Sequence, residues 1–520
     1  MNSHSQVPSL TGQSRGKLGE PSGSARLAAF AVGALFAADT ALTQSVSYIQ
    51  GRSSSLCTLF FLASFYSYCA AAEHDIEGTV GDKTGKPVSL FAALRKKDSD
   101  GVMAGNKIMT VFRILSATVT FVLACMTKEI GVTLVAVLVI FEFVYVLRCR
   151  ARNLRVNTIL RLLPFALVLG SVFVARVLLY GAIGEVRSIR EFWPNLLTQL
   201  SINVTYIRML LLPIGLSIEH DYPIYHSLSE IRVIYSLALL CGLIVAAVAA
   251  VRRMPMFTFG FSWFLITLLP TTLIPIWDVI SEHWLYLPSV GYFLMVGGLL
   301  ENLVRRHLCG NDKKQRDAVA VIILVAIFLY GSGTILRNTV WRNGATLWAD
   351  AVEKAPNRVR PRTNLAMALA DRGETRKAID ELRIALSIDP YSYEAHSNLG
   401  TIYSREGEYD RAVEQFQLAI AIFPDPFNPP PMEVMNVARA FYNMGLAYQQ
   451  MGRFNSALQA YDKAIRVAPQ MGEAYSNMGT VYFAMGRHAE AEMSFKKALS
   501  INPSLDLARK NLELLEGLTP

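Results

Sequence analysis

Ionisable side chains inside an apolar stretch of chain are costly, so each needs a reason to be there. This sequence places several of them in short turns between long hydrophobic runs. Lys128 and Glu129 share one tight turn, and Glu219, His220 and Asp221 follow one another in a second. Asp278, Glu282, His283 and Tyr286 crowd a third, while Asp39, Gln44, Tyr48 and Arg52 lie near the end of the first run. Groups of this kind move protons or hold charged ligands, which makes them functional-site candidates. The plainer alternative is that short turns are simply polar. A different chemistry marks the second half, where Asn364, Asn398, Asn443 and Asn477 occupy one position of a repeating unit. Each amide both donates and accepts, so a row of them can clamp the backbone of an extended peptide. Asn is also frequent at that position in such repeats, and the row then says nothing about a ligand.

The elements that must place these residues follow from composition. The chain has 520 residues, of which 52% are hydrophobic and 18% charged, against about 25% charged in a typical soluble domain. That excludes a disordered chain and an ordinary soluble enzyme. The net charge of +9 divides unevenly, with +10 before Thr339 and −1 from Thr339 onward. A basic excess confined to the apolar part fits the loops of a membrane protein, and no nucleic-acid partner is expected. Cys57, Cys69, Cys125, Cys149, Cys241 and Cys309 show no zinc or CxxC spacing and read as small apolar residues, so no metal site is expected.

Residues 1–26, rich in Ser, Gly and Pro, are expected to form a disordered leader. A helix needs about 20 apolar residues to cross a bilayer. Runs near 27–46, 55–73, 108–126, 130–147, 158–182, 233–251, 256–275, 285–304 and 318–337 approach that length. They predict an all-α, polytopic membrane domain over 27–338, with the lipid bilayer as its surroundings. Four basic loops, around Lys83 to Lys107, Arg148 to Arg155, Arg252 to Arg253 and Arg305 to Arg316, go inside by the positive-inside rule. Segment 193–215 then has both flanks outside and is predicted as an interfacial or re-entrant helix. The polar turns collect on the outer face.

Proline sets the period of the rest. Pro356, Pro390 and Pro424 are 34 residues apart, as are Pro469 and Pro503. That is the tetratricopeptide period, a helix–turn–helix unit. The gap from Pro424 to Pro469 is 45, eleven longer, and holds the Pro-rich stretch Pro424 to Pro431, expected as a surface loop. Gly400, Gly445 and Gly479 fall where the two helices must approach closely, and larger residues, among them Phe416, Tyr461 and Phe495, are expected to fill the space between them and into the next repeat. The solenoid predicted over 339–520 comprises a half repeat, four full repeats and a capping helix near 504–517. The last span exits outward, so the repeats are expected on the outer side with the polar turns.

The joined pattern resembles the family of transmembrane and tetratricopeptide-repeat proteins that includes O-mannosyltransferases, membrane glycosyltransferases of the type-C class. The stretches that carry it are LFAADTALTQSVSYIQGRSSSL (35–56), TKEIGVTL (127–134), LLLPIGLSIEHDYP (210–223), SEHWLYLPSVGY (281–292) and WRNGATLWADAVEKAPNRVRPRTNLA (341–366), in family order. The resemblance implies transfer of a sugar such as mannose from a polyprenyl-phosphate donor to Ser or Thr hydroxyls, with no separate cofactor assigned. Such a site needs a carboxylate as base on the hydroxyl and cations or donors for the leaving phosphate. Glu129 and Glu282 are the acidic candidates. Arg52, Lys128 and His283 are the phosphate-side candidates, and Tyr286 would orient the donor. The acceptor polypeptide is expected on the inner face of the repeats, along Asn364, Asn398, Asn443 and Asn477.

The chain also departs from the family. Members carry an acidic pair in an outside loop between two earlier spans, where the base is expected, and here a Ser/Gly/Pro-rich leader precedes Leu35. Asp39-Thr40 stand in place of a His-Pro pair, and Glu282-His283 in place of Glu-Arg. A catalytically inactive, membrane-anchored scaffold is the competing expectation. A transporter would fit the charges but not the 34-residue array. Short loops point to a bacterial inner membrane, with the endoplasmic reticulum membrane as the alternative.

Overall fold

The computed structural model describes residues 52–80, 103–146, 152–180, 190–276, 278–308 and 313–517. The expected leader and first span lie outside these residues, as do Asp39, Gln44 and Tyr48. Every regular element among the described residues is helical. The chain divides into two compact units, one of residues 1–218 and 222–339, the other of 219–221 and 340–520.

The first unit contains α1 (Arg52–Val80), α2 (Met103–Thr127), α3 (Leu134–Phe141), α4 (Arg152–Tyr180), α5 (Phe192–Leu211), α6 (Ile231–Ala250), α7 (Pro255–Leu273), α8 (Tyr286–Leu308) and α9 (Lys313–Val340). Seven segments are long and apolar enough to cross a bilayer: Arg52–Ala72, Ile108–Thr127, Val156–Leu178, Ile231–Ala250, Pro255–Leu273, Glu282–Leu303 and Ala320–Val340. They match seven of the expected runs to within a few residues.

The expected run at 130–147 is different. It consists of a 3-10 turn (Glu129–Thr133), α3, and a π-helical turn (Glu142–Val146). Two local causes break it. At Gly131 a Cβ would lie 2.8 Å from the Ala124 carbonyl, so the chain reverses directly against the end of α2. At the far end the Glu142 carboxylate is drawn into a buried network. It accepts from the Tyr68 hydroxyl at 2.7 Å, from the Thr158 hydroxyl at 2.7 Å and from the Arg161 guanidinium at 2.9 Å. One carboxylate thereby ties α1 and α4 to the end of α3.

Aromatic packing and glycine contacts supply the rest. Phe61, Phe65 and Tyr68 of α1 pack with Phe141, Phe165, Phe259 and Trp263 in one buried cluster. Helices α7 and α8 touch backbone to backbone. A Cβ on Gly291 would lie 2.6 Å from the Gly260 oxygen, and one on Gly298 would lie 2.6 Å from the Phe257 nitrogen. Small residues at helix contacts are the usual means of close packing in lipid, where apolar area alone brings helices together poorly.

The second unit is a stack of helix pairs. It runs α10 (Gly344–Lys354), α11 (Val359–Ala370), α12 (Thr375–Ile388), α13 (Tyr393–Arg405), α14 (Tyr409–Ala421), α15 (Val434–Gln450), α16 (Phe454–Val467), α17 (Gly472–Ala484), α18 (His488–Ile501) and α19 (Asp506–Glu516). Asn343 opens α10 with a reciprocal cap, accepting from the Thr346 backbone N–H at 3.0 Å while its own N–H donates to the Thr346 hydroxyl at 3.4 Å. Each turn inside a full repeat passes through a left-handed glycine, with φ of +78° at Gly373, +79° at Gly407, +72° at Gly452 and +72° at Gly486. The close approach follows a second glycine. A Cβ would lie 2.8 Å from the Phe416 ring at Gly400, and 2.6 Å from the Tyr461 and Phe495 rings at Gly445 and Gly479. Ala378, Ala412, Ala457 and Ala491 are fully buried between the helices.

The eleven extra residues do not interrupt this stack. They form irregular turns, and α15 starts four residues ahead of its repeat position, at Val434. Phe427 in the loop stacks on Phe441 with ring centroids 5.8 Å apart, so the insertion is anchored to the solenoid.

Candidate functional site

Three separate stretches of the membrane unit supply the polar centre. The first is the opening turn of α1, Arg52 to Ser55. The second is the reversal after α2. There Lys128 is extended (φ −162°, ψ 145°), and its backbone N–H donates to the Ala124 carbonyl at 3.1 Å. The third is the link from α7 to α8, which ends in a 3-10 turn, Glu282–Leu285.

Lys128 joins the first two. Its ammonium donates to the Ser54 hydroxyl at 2.5 Å. Burial lowers its pKa from the ordinary lysine value, and the neighbouring Glu129 carboxylate opposes that shift. Lys128 also lies close enough for its charge to act on the His283 imidazole, which brings in the third stretch. His283 Nδ1 is 2.6 Å from the Ser281 hydroxyl. Arg52 is exposed, two residues before Ser54, and Glu129 is exposed beside Lys128. Tyr286 opens α8, one turn beyond His283, and is half-buried.

Glu282 has a different setting. It is fully buried, and its Oε1 accepts from the Ser217 backbone N–H at 2.5 Å. It fastens the chain after α5 to the turn before α8. Asp278 is half-buried in the same link.

What holds this link rigid is α5, the segment expected to be interfacial or re-entrant. It is a helix of 20 residues outside the set apolar enough to span, and it turns amides inward. Asn195 donates to the Thr272 carbonyl at 3.0 Å and Gln199 to the Val279 carbonyl at 2.9 Å. The Tyr206 hydroxyl donates to the Ser281 carbonyl and accepts from the Ser281 N–H, both at 3.1 Å. From α7, the Trp263 indole donates to the Leu287 carbonyl at 3.0 Å. Irregular backbone is tolerated at membrane depth when its polar groups are paired inside the protein, and these side chains do the pairing. Sequence reasoning missed them, although Asn195, Gln199 and Asn203 recur every four residues in an apolar stretch.

Glu219, His220 and Asp221 belong to the second unit. Arg360 Nε donates to the Glu219 carboxylate at 2.7 Å. Arg358 lies 3.7 Å from the Asp221 carboxylate and donates to the His220 carbonyl at 3.4 Å.

The asparagine row lies on the first helices of the repeats, all four half-buried. Asn364 donates to the Arg360 carbonyl at 2.9 Å, and Asn477 to the Tyr442 hydroxyl at 2.9 Å. The row also has a member that sequence reasoning overlooked. Asn511 on α19 stands 34 residues after Asn477, and its amide donates to the Thr480 hydroxyl at 3.4 Å. Counting the period once more into the capping helix would have found it.

Comparisons with known proteins agree with this architecture. Tetratricopeptide-repeat family profiles match residues 341–429, 438–471 and 472–505. The protein O-mannosyl-transferase TMTC4 of Homo sapiens is 26% identical over 383 residues, covering 66% of this chain and 47% of the relative. The protein O-mannosyl-transferase Tmtc3 of Drosophila melanogaster is 22% identical over 419 residues, covering 72% of this chain and 42% of the relative. The chain thus spans about half the length of the curated relatives it matches. Among solved structures, MamA aligns at 30% identity over 31% of this chain and 86% of that protein, with a TM-score of 0.27.

Fold and site define a multi-pass helical membrane protein joined to a tetratricopeptide-repeat solenoid. Within that class the chain is TMTC-like: it contains tetratricopeptide repeats and is similar to relatives named protein O-mannosyl-transferases.

Proposed function

We propose that this chain serves glycosyl transfer at the outer or lumenal face of a membrane. It passes a sugar, mannose by family likeness, from a polyprenyl-phosphate donor to Ser or Thr of an exported polypeptide. The observation that carries the reading is the hydrogen bond by which Lys128, in the reversal after α2, meets Ser54 in the opening turn of α1. In the reaction the acceptor oxygen forms a bond to the anomeric carbon as the bond from that carbon to the phosphate oxygen breaks. The proton leaves to a carboxylate, and the electron pair leaves with the phosphate. Lys128 and Arg52 would meet the phosphate with positive charge, and His283 and Tyr286 would orient the donor. Positive charge preset at the leaving oxygen stabilises the transition state more than the ground state. Glu129, exposed beside Lys128, is the assigned base, while buried Glu282 positions the turn. The solenoid would hold the acceptor along its asparagine row.

A second reading, a membrane-anchored scaffold without catalysis, draws on Glu282. That carboxylate is committed to the Ser217 backbone, leaving Glu129 as the one exposed acid of the two candidates. A transferase assay in membranes separates the readings, using polyprenyl-phosphate mannose and a Ser/Thr-rich acceptor. Transfer that falls about a hundredfold in Lys128→Ala, with folding retained, supports the enzyme. Acceptor binding without transfer supports the scaffold.

A further inference from the structure

Ser281 stands immediately before the 3-10 turn Glu282–Leu285, where a serine hydroxyl usually accepts from an N–H of the turn. Here it makes no such cap. Its hydroxyl lies instead 2.6 Å from Nδ1 of His283.

Which of the two atoms donates follows from counting. Ser281 is buried, and among the described residues Nδ1 of His283 is the one hydrogen-bond partner of its hydroxyl. Were Nδ1–H the donor, the hydroxyl hydrogen would be buried without an acceptor, a larger penalty than an unused lone pair on the same oxygen. The serine therefore donates and Nδ1 accepts. A neutral imidazole that accepts at Nδ1 carries its hydrogen on Nε2. The same count disfavours the doubly protonated ring, which also has a hydrogen on Nδ1.

The backbone beside the ring is fixed from two sides. The fully buried Tyr206 holds both the N–H and the carbonyl of Ser281 through its hydroxyl. The Ser217 N–H holds the carboxylate of Glu282. The Trp284 ring stands at a steep angle to the imidazole, with centroids 5.8 Å apart. With residues 281 and 282 pinned, the freedom left at His283 is mainly rotation of its side chain, and the Ser281 hydroxyl sets that rotation.

We propose that Ser281 is a positioning residue, which fixes His283 as a hydrogen-bond donor at Nε2 toward the phosphate of a polyprenyl phosphate. The proposal rests on the donor-binding reading above and assigns its imidazole contact one tautomer. A hydrogen on Nε2 suits an anion and cannot receive the proton of an acceptor hydroxyl. His283 is thereby excluded as the base, and Glu129 keeps that role.

The test is nitrogen NMR of the 520-residue chain in nanodiscs, labelled at histidine, with a short polyprenyl monophosphate as probe. The His283 signal is the one missing from His283→Gln. At neutral pH it is expected to show hydrogen on Nε2 and none on Nδ1. Ser281→Ala should let both tautomers appear and weaken phosphate binding about tenfold. Ser281→Thr keeps a hydroxyl and should restore both readings. Arginine donates from several nitrogens and has no tautomer to set, so in a His283→Arg chain Ser281→Ala should change phosphate binding by less than about twofold. Hydrogen on Nδ1 of the unaltered chain overturns the proposal. An equal loss of binding in the His283→Arg chain makes Ser281 a structural serine and also overturns it, as does failure of the unaltered chain to bind the phosphate. The expected tautomer and binding without sugar transfer in the membrane assay refute the transferase reading and leave the positioning role standing.

Discussion

Glu142 and Asp506 are both carboxylates paired with an arginine, and they stand at opposite extremes of exposure. The side chains of Glu142 and Arg161 are 2% and 4% exposed, whereas those of Asp506 and Arg509 are 77% and 50% exposed. The membrane unit concentrates charge at a buried point and surrounds it with Tyr68 and Thr158. The solenoid spreads its ion pairs over a wet surface and takes its order from glycine, alanine and aromatic packing repeated every 34 residues. Charge is thus a structural keystone in one unit and mostly a solvated coat in the other. Glu282 in the first unit follows the same rule, and Arg360 with Glu219 is the exception in the second, holding an irregular segment in place.

The contrast breaks most visibly at Glu142. Glu142→Ala leaves Arg161 buried without its anion and should cost about 3–5 kcal/mol. The double substitution Glu142→Met with Arg161→Met should be far milder, because a matched apolar pair removes both charges. Unfolding in mixed micelles measures both, and a double variant as unstable as the single one would show that the charges themselves are required.

Next come the glycines. Gly291→Ala drives a methyl against the Gly260 backbone, which has no side-chain freedom to yield, and should cost about 3 kcal/mol. Gly445→Ala meets the Tyr461 ring, which can tilt, and should cost about 1–2 kcal/mol. Chemical unfolding followed separately in each unit tests the order, and a reversed order would mean that α7 and α8 slide more readily than the repeat packs.

The smallest effects belong to the exposed pairs. Hydrogen bonding to Lys377 lowers the Glu374 carboxyl below its ordinary value. A carboxyl lowered by folding contributes stability that is complete above its unfolded pKa and disappears as pH falls through the folded one. Glu374→Gln should therefore flatten the acid limb of the solenoid's melting curve slightly, and high salt should hide the difference. Arg509→Ala should move the melting temperature by no more than about 1 °C. A larger drop would mean that the capping helix relies on its first-turn charge.

Much of this was legible in the sequence, for reasons that differ by element. The repeat is readable because each feature recurs at a fixed spacing, so Gly400, Gly445 and Gly479 mark the close approach of two helices before any coordinates, whereas their ring partners emerge only in the structure. Seven spans are readable because lipid demands long apolar runs. The break at 130–147 escaped, since hydropathy does not register that Gly131 must press on Ala124 or that Glu142 will find a cation. Glu142 and Arg161 are 19 residues apart and Tyr68 is 74 from Glu142, so no local pattern joins them. The polar centre was half legible. Lys128 and His283 stand out as charges in apolar surroundings, whereas Ser54 and Tyr206 are unremarkable until the fold brings them to Lys128 and Ser281.

Asn511 makes the last helix an unfinished copy of the unit before it. A block of 34 residues duplicated after Pro503 would carry the row onward in step, whereas one of 33 or 35 would stay in step only if its odd residue fell in a loop. The number of amides in the row is therefore a whole-number quantity that grows by tandem duplication of whole repeats. The eleven residues that break the period fall outside this arithmetic, since they are taken up before and in the first turn of α15 and leave Asn443 at its repeat position.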